Sequence, residues 1–220
     1  MKKLLLLLIS GLFALSSYAQ ECSTLWPYIY PEFRDATIYT KGGTKFDRKI
    51  NIHVQGSTVH YIDDQGIVRE TKSEDLLLVD TGNDKFMYVD GRVMKVVGTE
   101  EHGFIATLVL GDFAKLNATE GAYGSSASSS AVTKLTSVEA GVVGQNHMQL
   151  KQNRDYGKLI ELRTSYFIVV DGQVYPASKK AIENKLPEDK RSEFNQFLKS
   201  NKIRWNKVES LQNVLKFFNQ

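Results

Sequence analysis

The sequence predicts an α+β chain: an antiparallel β-rich meander, forming a curved or barrel-like sheet, followed by a small C-terminal helical subdomain of about three short helices. Three observations carry this. Residues 33–110 alternate apolar with polar side chains and are rich in Val, Ile, Tyr and Thr, which suit a half-buried pleated surface. Turn signals punctuate that stretch at short intervals: Gly42-Gly43, Gly56-Ser57, Asp63-Asp64-Gln65-Gly66, Gly82-Asn83-Asp84 and Asp90-Gly91. Beyond residue 177 the apolar spacing lengthens to a helical period. With no helical stretch between the strands, hairpins are favoured over a parallel sheet.

Residues 1–19 read as a signal peptide. Lys2 and Lys3 precede an apolar run over residues 4–15, and Ser17-Tyr18-Ala19 supplies small residues for cleavage after Ala19. The run is too short for a membrane span, and no later stretch reaches the ~18 apolar residues that one needs. The expected address is therefore the periplasm or cell envelope, or the extracellular side, with the processed chain soluble or peripheral. Cys22 is the single cysteine, which leaves no internal disulfide framework. Gln20-Glu21 stand where a lipid-anchor signal needs small residues, so Cys22 reads as an unpaired residue of a terminal strand. Stability must come from a packed core.

Residues 20–177 form the predicted β-rich domain. It opens on Trp26-Pro27-Tyr28-Ile29-Tyr30-Pro31, aromatic and extended. Trp26, Tyr28 and Tyr30 can stack on a sugar or peptide ligand. The plainer reading is a terminal strand strapped across the sheet, with proline at an edge. Residues 86–93 (FMYVDGRV) return almost unchanged as residues 167–174 (FIVVDGQV). In both, an apolar run meets Asp-Gly and resumes with Val. Asp and Gly tolerate the positive backbone angles of a tight hairpin, so Asp90 and Asp171 are turn residues and not a duplicated active site. Residues 119–131, TEGAYGSSASSSA, are small and polar and read as a flexible Gly/Ser loop. Their serines lack the G-x-S-x-G elbow that presents a nucleophile. Strands resume around residues 132–138 and 159–170.

Residues 178–220 form the predicted basic amphipathic subdomain. Ala181, Ile182 and Leu186 share one helical face, and Pro187 suits the first position of the next helix. Phe194, Phe197 and Leu198 follow, then an extended Ile203-Arg204-Trp205 link. Asn206 with Glu209 makes a capping pattern ahead of Val208, Leu211, Leu215 and Phe218. Such stripes read as core packing.

The precursor carries 28 Lys+Arg against 25 Asp+Glu, and losing Lys2 and Lys3 leaves 26 against 25. Residues 178–220 hold ten basic against five acidic residues, so the tail is basic and the body mildly acidic. The tail lysines read as the solvated faces of helices, with peripheral association to an anionic surface as the sharper alternative. Nucleic acid is not an expected partner, and a protein or envelope component is.

One constellation has the look of chemistry. A two-residue Gly56-Ser57 turn would pair His53 with His60, leaving Ile50, Ile52, Val54, Val59 and Tyr61 on the opposite, apolar face. The histidines would then stand on the more polar, exposed surface. If Gly66 is left-handed in a three-residue loop, Glu70 faces His60. His53, His60 and Glu70 in one row make a ligand set for zinc or iron. The plainer reading is a His pair that repels itself below pH ~6.5. Phosphate-loop, dinucleotide and cysteine-cluster signatures are missing from the sequence, so no cofactor is otherwise expected.

Four stretches together carry a resemblance: ATIYTKGGTKFDRKINIHV, DLLLVDTGNDKFMYVDGRVMKVV, GAYGSSASSS and VYPASKKAIENKLPEDKRSEFNQFLKSNKIRW. Across most of the processed chain these resemble a family of small secreted proteins of Bacteroidota. The resemblance implies a β-rich, exported protein and transfers no catalytic residue or ligand. Three functions stand open on sequence. The first is a non-catalytic envelope protein that binds a protein or envelope component. The second is a metal binder or metal-dependent enzyme built on the His pair. The third is a glycan or lipid carrier with a barrel cavity.

Overall fold

The computed structural model describes residues 23–24, 27–71, 73–112, 119–120, 126–127 and 160–219. The expected signal peptide over residues 1–19, Cys22, Trp26, the expected strand over 132–138 and most of the expected 119–131 loop lie outside the described residues. The strands, in chain order, are β1 (Ser23–Thr24), β2 (Arg34–Thr40), β3 (Lys45–His53), β4 (Thr58–Ile62) and β5 (Val68–Glu70). A 3-10 turn at Ser73–Asp75 leads to β6 (Leu76–Asp80), β7 (Lys85–Val89), β8 (Arg92–Glu100) and β9 (Gly103–Gly111). Then come β10 (Thr119–Glu120), β11 (Ser126–Ala127), β12 (Ile160–Val170) and β13 (Gln173–Pro176). The helices are α1 (Lys179–Lys185), α2 (Glu188–Ser200) and α3 (Val208–Phe218).

The chain is α+β: an open, curved antiparallel sheet followed by three helices among the described residues. The main sheet has 11 strands, ordered β1-β12-β9-β8-β7-β6-β2-β3-β4-β5, with β13 on the same edge of β12 as β1. It consists of two meanders, β2 to β5 and β6 to β9, joined where β2 pairs with β6. A single up-and-down path would have put β5 beside β6. Residues 71–75 instead cross to β2, where Lys41 N donates to Asp75 O at 2.8 Å. Among the described residues β10 and β11 pair with each other, inside the Gly/Ser stretch.

Every glycine turn used to infer the hairpins turns the chain. Asp90 and Asp171 each adopt φ 48°, followed by Gly91 and Gly172 at 79° and 78°. The repeated eight-residue motif is thus one hairpin geometry used twice. The exception lies between β3 and β4. The expected two-residue turn at Gly56-Ser57 is a four-residue turn over 54–57, so His53 pairs with Thr58 and Asn51 with His60. The reason is that Val54 is used elsewhere. Its N–H donates to Pro27 O at 2.9 Å, and its carbonyl accepts from Gly111 N at 2.8 Å. Ser57 takes the positive angle, φ 53°, and its carbonyl accepts from Val93 N at 3.0 Å. These bonds pinch the β3–β4 turn against β8 and β9 and give the sheet its curl.

The curl makes an inner face. Ile38, Ile50, Ile52, Val59, Val79, Phe86 and Val93 form one buried cluster there, with Phe86 and Val79 at 0% exposure. Partly buried Ile29, Phe46, Tyr61 and Tyr88 pack against this cluster. Farther along the same face, Ile105, Ile168 and Val170 meet Ile182, Phe194, Leu211, Val214 and Leu215 from the helices. At about 1.5–3 kcal/mol for each large apolar side chain buried, these helices are held by packing and not by propensity. Two helix starts differ from expectation by one residue: Pro187 and Lys207 are the N-caps, neither with a side-chain cap bond. Asn206 is therefore not the cap, because Lys207 N still turns back to Arg204 O at 3.0 Å.

Candidate functional site

The site begins with a gap in a ladder. β2 pairs with β3 only as far as Arg34 opposite Ile50. Upstream, Pro31 has no N–H to extend the ladder. The chain resumes on the same edge of β3 as a short strap over residues 27–30. Ile29 N donates to Ile52 O at 3.0 Å, and Tyr28 bridges to His53. The Asn51 side chain fills the gap between. Its Oδ1 accepts from Tyr30 N at 3.1 Å, and its Nδ2 donates to Tyr30 O at 2.8 Å and Glu32 O at 3.3 Å. Asn51 is fully buried. The strap is the terminal strand that the sequence suggested, and it explains why an asparagine interrupts the Ile50-Ile52 run.

Tyr28 lies over both histidines. The His53 and His60 rings stack with centroids 4.9 Å apart and planes 19° from parallel. They are diagonal neighbours on one face, which brings them together despite the shifted register. Tyr28 meets each ring edge-on, at 5.3 Å for His53 and 5.5 Å for His60. Its hydroxyl stands 2.9 Å from His60 Nδ1. On the far side His60 Nε2 is 3.4 Å from Glu70 Oε2. The His60–Glu70 pairing expected from a left-handed Gly66 is present, with Gly66 at φ 77°. The expected exposure is not: His53 and His60 are only 4% and 7% exposed, with Tyr28 of the strap edge-on to both.

Burial and charge act on this row together. Burial, with the Glu70 carboxylate adding to it, pushes the Tyr28 hydroxyl up to about 12. Burial likewise raises the Glu70 carboxyl above its ordinary value. The Tyr28 hydroxyl and the Glu70 carboxylate thus face the two nitrogens of one imidazole.

Two chemical roles can be tested on this geometry. Hydroxyl, imidazole and carboxylate in sequence have the connectivity of a nucleophile, its base and an orienting acid. Yet Tyr28 is 3% exposed and faces inward, so no substrate atom can reach its oxygen. A metal ion would need ring lone pairs, which lie in the ring planes, to converge on one point at about 2.0–2.1 Å. Stacked rings direct their lone pairs side by side, and both His60 nitrogens already face partners. Among the described residues, no three His, Cys, Asp or Glu side chains form a group able to hold a metal ion. His53, His60 and Glu70 do come together as expected, but in a form that does not suit zinc or iron.

The strap has a second anchor that the sequence reading missed. Tyr30 is buried and meets Phe86 edge-on at 6.2 Å. Its hydroxyl donates to Asp84, which also pairs with Lys95 Nζ at 2.7 Å, while the Arg34 guanidinium sits 3.9 Å above the Tyr30 ring. Partial burial pushes the Asp84 carboxyl up, but hydrogen bonds from Lys95 and Tyr30, with the Lys95 and Arg34 charges, bring it below its ordinary value. Burial first, and then Asp84, raises the Tyr30 hydroxyl strongly. Tyr28 and Tyr30 thus face the protein and offer no stacking platform to a ligand. The usable signals for the missed residues were Asn51 inside a β-branched strand and Asp84 in a turn beside an aromatic strand.

Two open hollows lie elsewhere on the described surface. An open hollow of about 480 Å³ is lined by Asp35, Thr37, Asp47, Lys49 and Asp80, and one of about 420 Å³ by Thr164, Tyr166 and residues 206–209. Every Lys and Arg of residues 178–220 is exposed. Among the described residues no helix is long and apolar enough to cross a membrane. In comparison with known proteins, no family model matches the chain, and neither a curated protein nor a solved structure matches it.

Proposed function

We propose that the chain is an exported, non-catalytic interaction module of the cell envelope, which docks to an acidic protein or envelope component through its helical tail. One observation supports the non-catalytic part. Among the described residues, the row Tyr28–His60–Glu70 has catalytic connectivity, but Tyr28 and His60 are buried and Tyr28 belongs to the strap itself. The partner's chemistry follows from the tail. Its apolar stripes are buried against the sheet, while ten basic against five acidic residues leave a net positive outer face. The signal-like residues 1–19 and the resemblance to secreted proteins of Bacteroidota support the exported address.

Site-specific photocrosslinking in cells from positions 199 and 202 tests this reading. A discrete adduct that weakens with salt, and is lost when Lys199 and Lys202 are changed to Glu, is the expected result. Saturable turnover by the purified protein, abolished by one substitution in the Tyr28–His60–Glu70 row, would overturn it.

A further inference from the structure

The positive charge of the tail is not spread evenly. Residues 199–207 (KSNKIRWNK) hold four basic and no acidic residues, while the rest of residues 178–220 holds six basic against five acidic. On the reading that the tail is the docking surface, we propose that Lys199, Lys202, Arg204 and Lys207, with Trp205 among them, seat the protein on the headgroup layer of an anionic lipid bilayer.

The local fold sorts these side chains. α2 ends at Ser200, where Asn201 N and Nδ2 both donate to Phe197 O at 2.9 Å. Exposure alternates along the link that follows. Ile203 and Trp205 pack against the helical core, partly buried, while Lys202, Arg204 and Asn206 are exposed. Two bonds then fix the corner into α3. Arg204 N donates to Ser210 Oγ at 2.8 Å, and Lys207 N donates to Arg204 O at 3.0 Å. The backbone that carries the cations is thus already ordered, so docking freezes only their side chains.

The fold does not spend these charges on itself. Among the described residues, no ion pair or side-chain hydrogen bond engages any of the four. Other tail cations are engaged: Lys179 and Lys190 pair with Glu183 and Glu193, and Lys185 and Arg191 donate to backbone carbonyls. The carboxylates nearest in the chain, Glu193 and Glu209, flank the cluster, and Glu193 is taken by Lys190. Each Lys or Arg held at an anionic bilayer raises partitioning about fivefold. Three of the four are lysines, point charges on flexible stems, which suit a fluid headgroup layer better than the fixed fork geometry of a shaped protein interface. Trp205 favours lipid too, since an amphipathic indole beside cations is the composition of a membrane interface. The apolar stripes of the helices are committed to the sheet, so the seat is electrostatic and peripheral, and salt weakens it.

Sedimentation of the processed chain, residues 20–220, with lipid vesicles tests this free of the apolar run at residues 4–15. At low salt the chain should bind vesicles containing about one-third phosphatidylglycerol and leave pure phosphatidylcholine vesicles unbound, and about 0.5 M salt should remove most of the binding. Lys202→Gln with Arg204→Gln, whose side chains hold nothing else in the fold, should weaken binding about tenfold or more. The charge-matched pair Lys45→Gln with Arg92→Gln, on β3 and β8, should stay within about twofold. Absent binding, binding that ignores lipid charge, or an equal loss in the two double variants would overturn the lipid seat. A protein adduct formed from positions 199 and 202 by a chain that leaves vesicles unbound would keep the docking tail and remove lipid as its partner.

Discussion

The two ends of the sheet are covered by opposite means. Over β8, β9, β12 and β13 the helices contribute side chains that are almost wholly apolar. Phe194, Leu211, Val214 and Leu215 are each at 0% exposure, and Phe194, Phe197 and Phe217 stack among themselves. Over the end of β3 the strap is held by one amide, two imidazoles, two phenols and two carboxylates. Apolar packing is strong and indifferent to pH. Polar closure is weaker in net terms, and its imidazole, phenol and carboxylate bonds depend on protonation state. The difference teaches that residues resembling catalytic or metal-binding groups can be the fastenings of a fold.

The contrast can be broken or sharpened by substitution. The largest effect should come from Phe194→Ala, which empties a fully buried position and should cost about 3–5 kcal/mol. Urea unfolding should show the same loss at neutral pH and in mild acid. Next, Asn51→Ala leaves the Tyr30 N–H and carbonyl without their side-chain partner and should cost about 2–3 kcal/mol. Exchange at Tyr30 should rise more than exchange in the helices; an even rise would mean that the strap does not open separately.

Smaller effects belong to the pinch that curls the sheet. Ser57→Ala removes the Oγ–H bond to the Val93 carbonyl and should cost about 1 kcal/mol. Ser57→Gly should cost less, because glycine accepts φ 53° without strain. Thermal unfolding of the two variants ranks them, and a more stable Ala variant would remove this account of the turn. The mildest effect appears only in alkali. The Tyr28 hydroxyl ionises higher in the fold than its ordinary value of 10.0, so its contribution is complete below pH 10 and lost as pH rises towards about 12. Tyr28→Phe should flatten the fall in stability measured across that window.

Much of this architecture was legible in the sequence, because turn chemistry is local. Gly43, Gly66, Gly82, Asp90-Gly91 and Asp171-Gly172 all adopt the positive angles their residue types favour. The helical stripes were legible for the same reason. What escaped was long-range. The β3–β4 register follows from Val54 bonding to Pro27 and Gly111, residues far away in the chain. The pairing of β2 with β6 follows from a crossover that no turn dipeptide announces. The histidines were correctly placed on one face beside Glu70, but their burial was not legible, since Tyr28 reaches them from 25 and more residues away in the chain. A two-residue periodicity shows which side chains share a face and not what lies over them.

A double-mutant cycle of Tyr28→Phe and His60→Gln, followed by chemical denaturation at neutral pH, tests most directly whether this row fastens the strap. A coupling energy of about 1 kcal/mol or more between the two positions is the predicted result. Strict additivity would contradict it, since two side chains that do not act on each other cannot hold the strap together.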